Sequence, residues 1–172
     1  AANVLQFTVG MNPVGAPLPW TWQAIAGDVD GNGNPEAYDA ALILQYSVGM
    51  INQFPVESRS EIARSEVSLG AENGELVFNT TGNLYGFSVS TDSELIAFGE
   101  VETAYLSASN GNAFALASAE VIEGDFLRIP FELLEDSGEI TFTMTANGIS
   151  SDNTYNVEDL QGGIITANAV LG

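Results

Sequence analysis

The sequence predicts a mostly β protein in which a β-sandwich follows a small N-terminal α-helical unit. From about residue 66 onward, short segments of alternating apolar and polar residues are separated by Gly, Asn, Asp and Ser, a pattern typical of antiparallel strands. Before about residue 56, apolar residues recur at helical spacing instead. The chain has 172 residues, 45% of them hydrophobic, which is enough for one domain with a small appended unit.

We predict a helical unit at residues 1–56, a connector at residues 57–65 and a sandwich at residues 66–172. In the segment Glu139–Ala146 the apolar residues alternate strictly with threonine, which indicates a sheet with one buried and one solvated face. About eight such segments without intervening helices favour a sandwich of jelly-roll type. The predicted strands are Glu66–Leu69, Glu75–Asn79, Leu84–Ser90, Leu95–Val101, Ala113–Ala119, Phe126–Leu133, Glu139–Ala146 and Gly163–Ala169.

An internal repeat occurs twice in the first third of the chain. Residues 1–11 (AANVLQFTVGM) align with residues 40–50 (AALILQYSVGM) at an offset of 39, and seven of the eleven pairs are identical. In each copy the helical pattern is followed by a glycine, Gly10 or Gly49, that can adopt the left-handed conformation of a helix C-cap. We therefore expect two equivalent helices that bury their apolar stripes against each other or against the sandwich.

The charge of the chain is strongly one-sided, with 23 acidic and 3 basic residues and a formal net charge of -20. Such a surface repels nucleic acid and anionic lipid, so we expect neither as a partner. No run of apolar residues is long enough for a membrane span. The chain has no histidine and no cysteine, and no carboxylate pair lies in a recognisable catalytic motif, so we expect no enzyme activity. The acidity either keeps the protein soluble or partly serves to bind cations.

The segment from Asp28 to Asp39 has the spacing of a twelve-residue calcium loop. Calcium takes six to eight oxygen ligands, which such a loop supplies at positions one, three, five, seven, nine and twelve, with glycine at position six. Gly33 falls on the glycine position. The predicted ligands are Asp28, Asp30, Asn32, the carbonyl of Asn34, Glu36 (directly or through a water) and Asp39. Calcium is therefore the predicted cofactor, while an ordinary turn rich in Asp and Asn is the alternative.

The loop and the repeat copy that follows it, from Gly27 to Gly49, resemble a type I dockerin repeat. The resemblance covers about residues 1–56 and implies an EF-hand-type helical unit that binds calcium and docks onto a cohesin. Three features depart from that pattern: the first calcium loop is missing, Pro35 replaces an apolar residue, and the helix carries Leu44 and Gln45 where polar or basic residues are usual. Because the chain begins at Ala1, we interpret it as a fragment, a processed product or a protomer completed by another chain.

The second region is similar to a cohesin-like β-sandwich over about residues 66–171. The residues that carry this resemblance are Leu84–Val89, Asn112–Ala119 and Gly124–Phe131. A generic sandwich remains the alternative. Dockerin and cohesin-like modules in one chain imply a large secreted bacterial protein and thus an extracellular location.

These observations predict a calcium-binding extracellular structural module that mediates protein–protein assembly. The partner is a protein, and copies of the same chain joined head to tail into a polymer or fibre are one option. A carbohydrate-binding or adhesion module is the alternative, with Trp20 and Trp22 either forming a sugar platform or packing inside the protein. A passive spacer in a large secreted protein is the third option.

Overall fold

A computed structural model describes residues 1–12, 26–58, 64–162 and 166–171, the last of these as backbone only. Trp20 and Trp22 lie outside the described residues. The same holds for residues 59–63 of the predicted connector and residues 163–165 of the last predicted strand. No helix within the described ranges is long and apolar enough to cross a bilayer.

The structure is mostly β, as predicted, with a large antiparallel sheet and a few short helices. The helices that lie wholly within the described ranges are α1 (Ala2–Thr8), α2 (Ala37–Ser47), α3 (Pro55–Ser58) and α4 (Val157–Gln161). The strands are β1 (Ser65–Glu72), β2 (Glu75–Ser90), β3 (Ile96–Phe98), β4 (Leu106–Asn110), β5 (Ala113–Leu133), β6 (Glu139–Ala146), β7 (Ile149–Asn156) and β8 (Thr166–Leu171).

Two long strands, β2 and β5, organise the sheet by pairing with each other along most of their length. The strand order is β3-β5-β2-β1-β8, and the other three strands branch from this path. On its outer side β2 pairs first with β1 and then with β6, while β5 pairs first with β4 and then with β3. Strand β7 pairs with β6. The two halves of each long strand therefore have different outer neighbours.

The sequence pattern predicted two strands in place of each long strand, because residues 80–83 and 120–125 contain glycine and polar residues that interrupt the apolar alternation. Predicted strands Glu75–Asn79 and Leu84–Ser90 are both part of β2, and Ala113–Ala119 and Phe126–Leu133 are both part of β5. The β2–β5 register shifts between Thr80 and Leu84, so the interruption is an irregularity within a continuous strand. Such irregularities bend a strand without ending it. The predicted bounds of β6 are confirmed, whereas the sequence pattern missed β4 and β7.

The main core is formed by the alternating apolar side chains of the strands, including Phe78, Phe87 and Phe142. A second apolar cluster joins α1 and α2 to the sheet through small residues. In it Val4 and Leu5 of α1, together with Val9 at its C-cap, pack with alanines of α2 and with Ala115 and Ala117 of β5. The helices and the sheet thus share a buried interface, which positions the Asp28–Asp39 loop against the sheet.

Candidate metal site

Hydrogen bonds within the Asp28–Asp39 loop hold its first side chains in place. The Asp28 carboxylate accepts hydrogen bonds from the amides of Gly31 and Gly33, both at 2.9 Å. Further along, Oδ1 of Asp30 accepts the amide of Asn32, and Oδ1 of Asn32 accepts the amide of Asn34. Gly33 has a φ of 101°, a conformation that favours glycine, in agreement with its predicted turn position. The backbone thus wraps around the oxygen atoms of these side chains.

Asp39 closes the loop at its other end. It lies in the first turn of α2 and its side chain is completely buried. One carboxylate oxygen accepts hydrogen bonds from the amides of Val29 (2.8 Å) and Asp30 (3.0 Å), and the other accepts the amide of Glu36 (2.8 Å). A carboxylate at a helix N-terminus is also favoured by the helix dipole. Asp39 therefore joins the start of the loop to the start of the helix.

The loop brings three carboxylates into one cluster. Oxygen atoms of Asp28, Asp30 and Asp39 all lie within 4.8 Å of one another. Two unit charges at about 4 Å repel each other by about 4 kcal/mol at the effective dielectric constant of a protein surface. In the part of the chain that the structure describes, both ion pairs belong to Arg128, whose partners are Glu75 and Asp125 on the sheet. The clustered charge is thus not balanced by a basic side chain of the described residues.

The electrostatic consequence is that three carboxyl groups of the loop hold protons more tightly than usual. Burial raises the pKa of Asp39 to about 7, and the neighbouring Asp30 adds to the effect. Burial likewise raises the pKa of Glu36 to about 7, with contributions from Asp39 and Asp30. The pKa of Asp30 rises to about 6, mainly through burial. A bound divalent cation would reverse this balance by stabilising the charged forms.

The donor set fits a hard cation such as calcium. Oε2 of Glu36 is buried and has no hydrogen-bond partner, so one more carboxylate oxygen at the loop is available to a cation. The remaining candidates, Asn32 and Asn34, are exposed at the tip of the loop and offer amide and carbonyl oxygens. Calcium prefers such carboxylate, amide and carbonyl oxygens. The structure thus brings Asp28, Asp30 and Asp39 together, with Glu36 beside them.

The sheet also contributes to the surroundings of the loop, which sequence reasoning missed. A Cβ atom at Gly148, in the turn between β6 and β7, would lie 2.8 Å from Nδ2 of Asn32, 3.1 Å from Oε2 of Glu36 and 3.4 Å from Oδ2 of Asp30. The sequence carries a signal for this turn, because Asn-Gly after an alternating strand is a strong hairpin signal. No local pattern indicates that the hairpin contacts a loop more than one hundred residues away.

Comparison with known proteins does not add to this description. No known family model, curated protein or solved structure matches the chain.

Proposed function

We propose that the Asp28–Asp39 loop binds one calcium ion. The observation that carries this proposal is the cluster of three aspartate carboxylates within 4.8 Å, positioned by backbone amides of the same loop. Asp28, Asp30, Asn32, Asp39 and the Asn34 carbonyl are the ligands, and Glu36 binds directly or through a water. A divalent cation would neutralise carboxylates that otherwise repel one another, so binding would stabilise the folded loop.

We further propose that residues 1–56 form an EF-hand-type, dockerin-like unit and that the sheet is a cohesin-like β-sandwich. The first part is supported by the equivalent C-terminal caps of α1 and α2, where Gly10 and Gly49 have φ angles of 77° and 75°. The second part is supported by the long strands β2 and β5, which shift register midway and then pair with different outer strands. A strand that bends in this way can contribute to two packed layers.

The function that these features support best is a calcium-stabilised extracellular structural module for protein–protein assembly. Four apolar side chains at the end of α2 or C-terminal to it are each at least half exposed: Tyr46, Val48, Met50 and Val56. Tyr46 stacks on Phe54 at 4.8 Å between ring centroids, and Val56 lies against Gly31 of the loop. Exposed apolar groups are typical of interaction sites where they form a contiguous patch. The partner would be a protein, and a second copy of the chain is one candidate.

Calcium binding can be tested by titration calorimetry and by thermal unfolding in calcium and in chelator. Calcium at about 100 times its Kd should stabilise the parent protein by about 2.7 kcal/mol. Asp28→Ala should abolish this response, whereas Asp136→Ala, at an exposed aspartate of the β5–β6 loop, should retain it. If the parent protein binds no calcium, or if Asp28→Ala responds like the parent, the calcium proposal is wrong.

Assembly can be tested by light scattering at increasing protein concentration, in calcium and in chelator. We expect the molecular mass to increase with concentration when calcium is present. Val48→Ser should reduce the increase, whereas Val121→Ser, at an exposed apolar position on β5, should not. A monomer at every concentration would exclude self-assembly and leave a different protein as the partner. Equal behaviour of the two variants would contradict a role for the exposed apolar side chains at the end of α2.

Carbohydrate binding is less well supported by the described residues. An open cavity of about 290 Å³ lies between the end of β2 and the β6–β7 hairpin. It is lined by Ser90, Thr91, Asp92, Ser93, Thr141, Thr143 and Asp152. This described lining offers hydroxyl and carboxylate groups but no aromatic ring on which a sugar could stack. We therefore favour assembly over carbohydrate binding.

A further inference from the structure

The calcium loop and the helix that follows it contact the sheet at two glycines, Gly86 and Gly148, where an added Cβ would approach a neighbouring atom more closely than 3.0 Å. A Cβ atom at Gly86 of β2 would overlap the backbone of Ala37 and Tyr38 at the start of α2. Gly148, in the β6–β7 turn, lies against the side chains of Asn32, Glu36 and Asp30, which are predicted ligands in the loop itself. The sheet backbone thus approaches both the ligand side of the loop and the point at which the loop becomes a helix.

Asn147 fixes these two contact points relative to each other. Its side chain is completely buried, and its Oδ1 accepts hydrogen bonds from the amides of Tyr85 (2.9 Å) and Gly86 (3.3 Å). Its Nδ2 donates to the carbonyl of Asn83 at 2.6 Å, and its own amide donates to the carbonyl of Gly86 at 2.9 Å. The β6–β7 turn is therefore bound to the β2 segment that contacts α2, and it cannot move without disturbing that segment.

We propose that the Asn147–Gly148 turn is a positioning element of the calcium site, so that calcium affinity depends on the sheet as well as on the loop. This inference rests on the proposed calcium function. The turn covers one side of the ligand group and restricts Asn32 and Glu36, of which Glu36 has a buried oxygen with no hydrogen-bond partner. Groups that orient metal ligands from outside typically change metal affinity by about 10- to 100-fold when mutated.

The coupling acts in both directions, because binding linkage is reciprocal. If the turn restricts the ligands, calcium bound to them restricts the turn. Calcium should therefore protect the amides of Tyr85, Gly86 and residues 147–149 from hydrogen exchange, although these residues belong to the sheet. The two-residue turn between β1 and β2, Asn73–Gly74, provides an internal reference on the same sheet.

The decisive experiment compares Gly148→Ala with Gly74→Ala. Both glycines follow an asparagine in a two-residue turn and have similar positive φ angles, 83° and 78°, so the backbone strain of an alanine is matched. A Cβ at Gly74 would meet no atom within 4 Å. We expect Gly148→Ala to weaken calcium binding about 10- to 100-fold in calorimetry. Gly74→Ala should bind like the parent while losing similar stability in chelator.

The outcomes separate this inference from the calcium proposal itself. A parent protein that binds no calcium contradicts the proposed function. If the parent binds calcium and the calcium Kd values of Gly148→Ala and Gly74→Ala agree within twofold, the positioning role alone is contradicted. If Gly148→Ala does not fold, hydrogen exchange of the parent decides. Calcium-dependent protection at residues 85–86 and 147–149, without protection at residues 73–74, supports the inference, and equal protection at both turns overturns it.

Discussion

Val9 and Val48 occupy the same position in the two copies of the repeat, yet Val9 is 4% exposed and Val48 is 65% exposed. The local structure of the two copies is nevertheless the same. Gly10 and Gly49 have φ angles of 77° and 75°, and their amides donate to the carbonyls of Phe7 and Tyr46. Met11 and Met50 complete the same Schellman motif by donating to Gln6 and Gln45.

The two copies bury different faces of this common helix. The first copy buries Val4 and Leu5 of α1 and the C-cap residue Val9, whose equivalents in the second copy are Ile43, Leu44 and Val48, half-buried or exposed. The second copy instead buries Ala40, Ala41, Leu42 and Gln45, whose equivalents are Ala1, Ala2, Asn3 and Gln6, likewise half-buried or exposed. Near-identical sequences therefore give the same helix and the same cap but bury different faces.

The cause is the different neighbours of the two helices. Helix α2 lies over β2 and β5, and α1 lies beside it over β4 and β5. Close contact with the sheet requires small residues, and α2 meets it with alanines, while Nε2 of Gln45 donates to the carbonyl of Ala119. Helix α1 meets α2 and β5 with larger residues, and its C-terminal Val9 carbonyl accepts a hydrogen bond from Asn110 of β4. The partner surface, and not the repeat, selects the face.

The largest expected effect that tests this comparison is the truncation of the equivalent leucines. Leu5→Ala should destabilise the protein by about 2 to 5 kcal/mol, because Leu5 is completely buried. Leu44→Ala should cost about half as much, since Leu44 only partly contacts the same cluster. Urea unfolding in saturating calcium measures both values. Equal costs would mean that the two copies are equally buried in solution.

A second prediction uses the loop that precedes the second copy. Between pH 4 and pH 7 the raised pKa values of Asp30, Glu36 and Asp39 mean that the folded form holds more protons than the unfolded form. The stability of the calcium-free protein should therefore fall as pH rises through this window, because the folded form retains protons that the unfolded form has already released. Above about pH 7 it should level off.

Chemical unfolding in chelator at a series of pH values checks this dependence. Glu36→Gln should make the slope shallower because it removes one of the three titrating groups. Saturating calcium should flatten or invert the slope, since the cation competes with protons for the same oxygens. Stability in chelator that stays constant from pH 4 to pH 7 would contradict the described burial of these carboxyls.

A third prediction enlarges equivalent small residues. Ala41 is completely buried, whereas its equivalent Ala2 is exposed. Ala41→Leu should destabilise the protein by about 2 kcal/mol through overpacking against its neighbours. Ala2→Leu should change stability by no more than about 0.5 kcal/mol, as is usual for surface positions. Thermal unfolding in calcium distinguishes the two, and similar shifts would show that the alanine face of α2 is not tightly packed.

The smallest effect is expected where the two copies are the same. Gly10→Ala and Gly49→Ala should each cost about 1 kcal/mol, because alanine is disfavoured at these positive φ angles. The difference between the two variants should be smaller than either cost, since neither added Cβ would make a close contact. Unequal losses in urea unfolding would show that the caps differ in solution.

Features that depend on residues close together in the chain could be predicted from the sequence. The repeat predicted two helices, each followed by a capping glycine, Gly10 or Gly49. The alternation in Glu139–Ala146 predicted the bounds of β6. The spacing from Asp28 to Asp39 predicted the loop whose aspartates the structure brings together, although calcium itself stays a prediction. In each case the hydrogen bonds or the periodicity span only a few residues.

Tertiary structure alone decided which surfaces meet. Strand β7 is largely polar, and it forms a strand by pairing with β6. The hydroxyl groups of Thr141 and Thr154 also form a hydrogen bond across this pair. The buried faces of α1 and α2, and the contact of Gly148 with the loop, likewise depend on residues far apart in sequence. A local pattern states that a face is apolar or that a turn forms. It does not identify the distant surface that is complementary in shape, because that surface exists only once the sheet has formed.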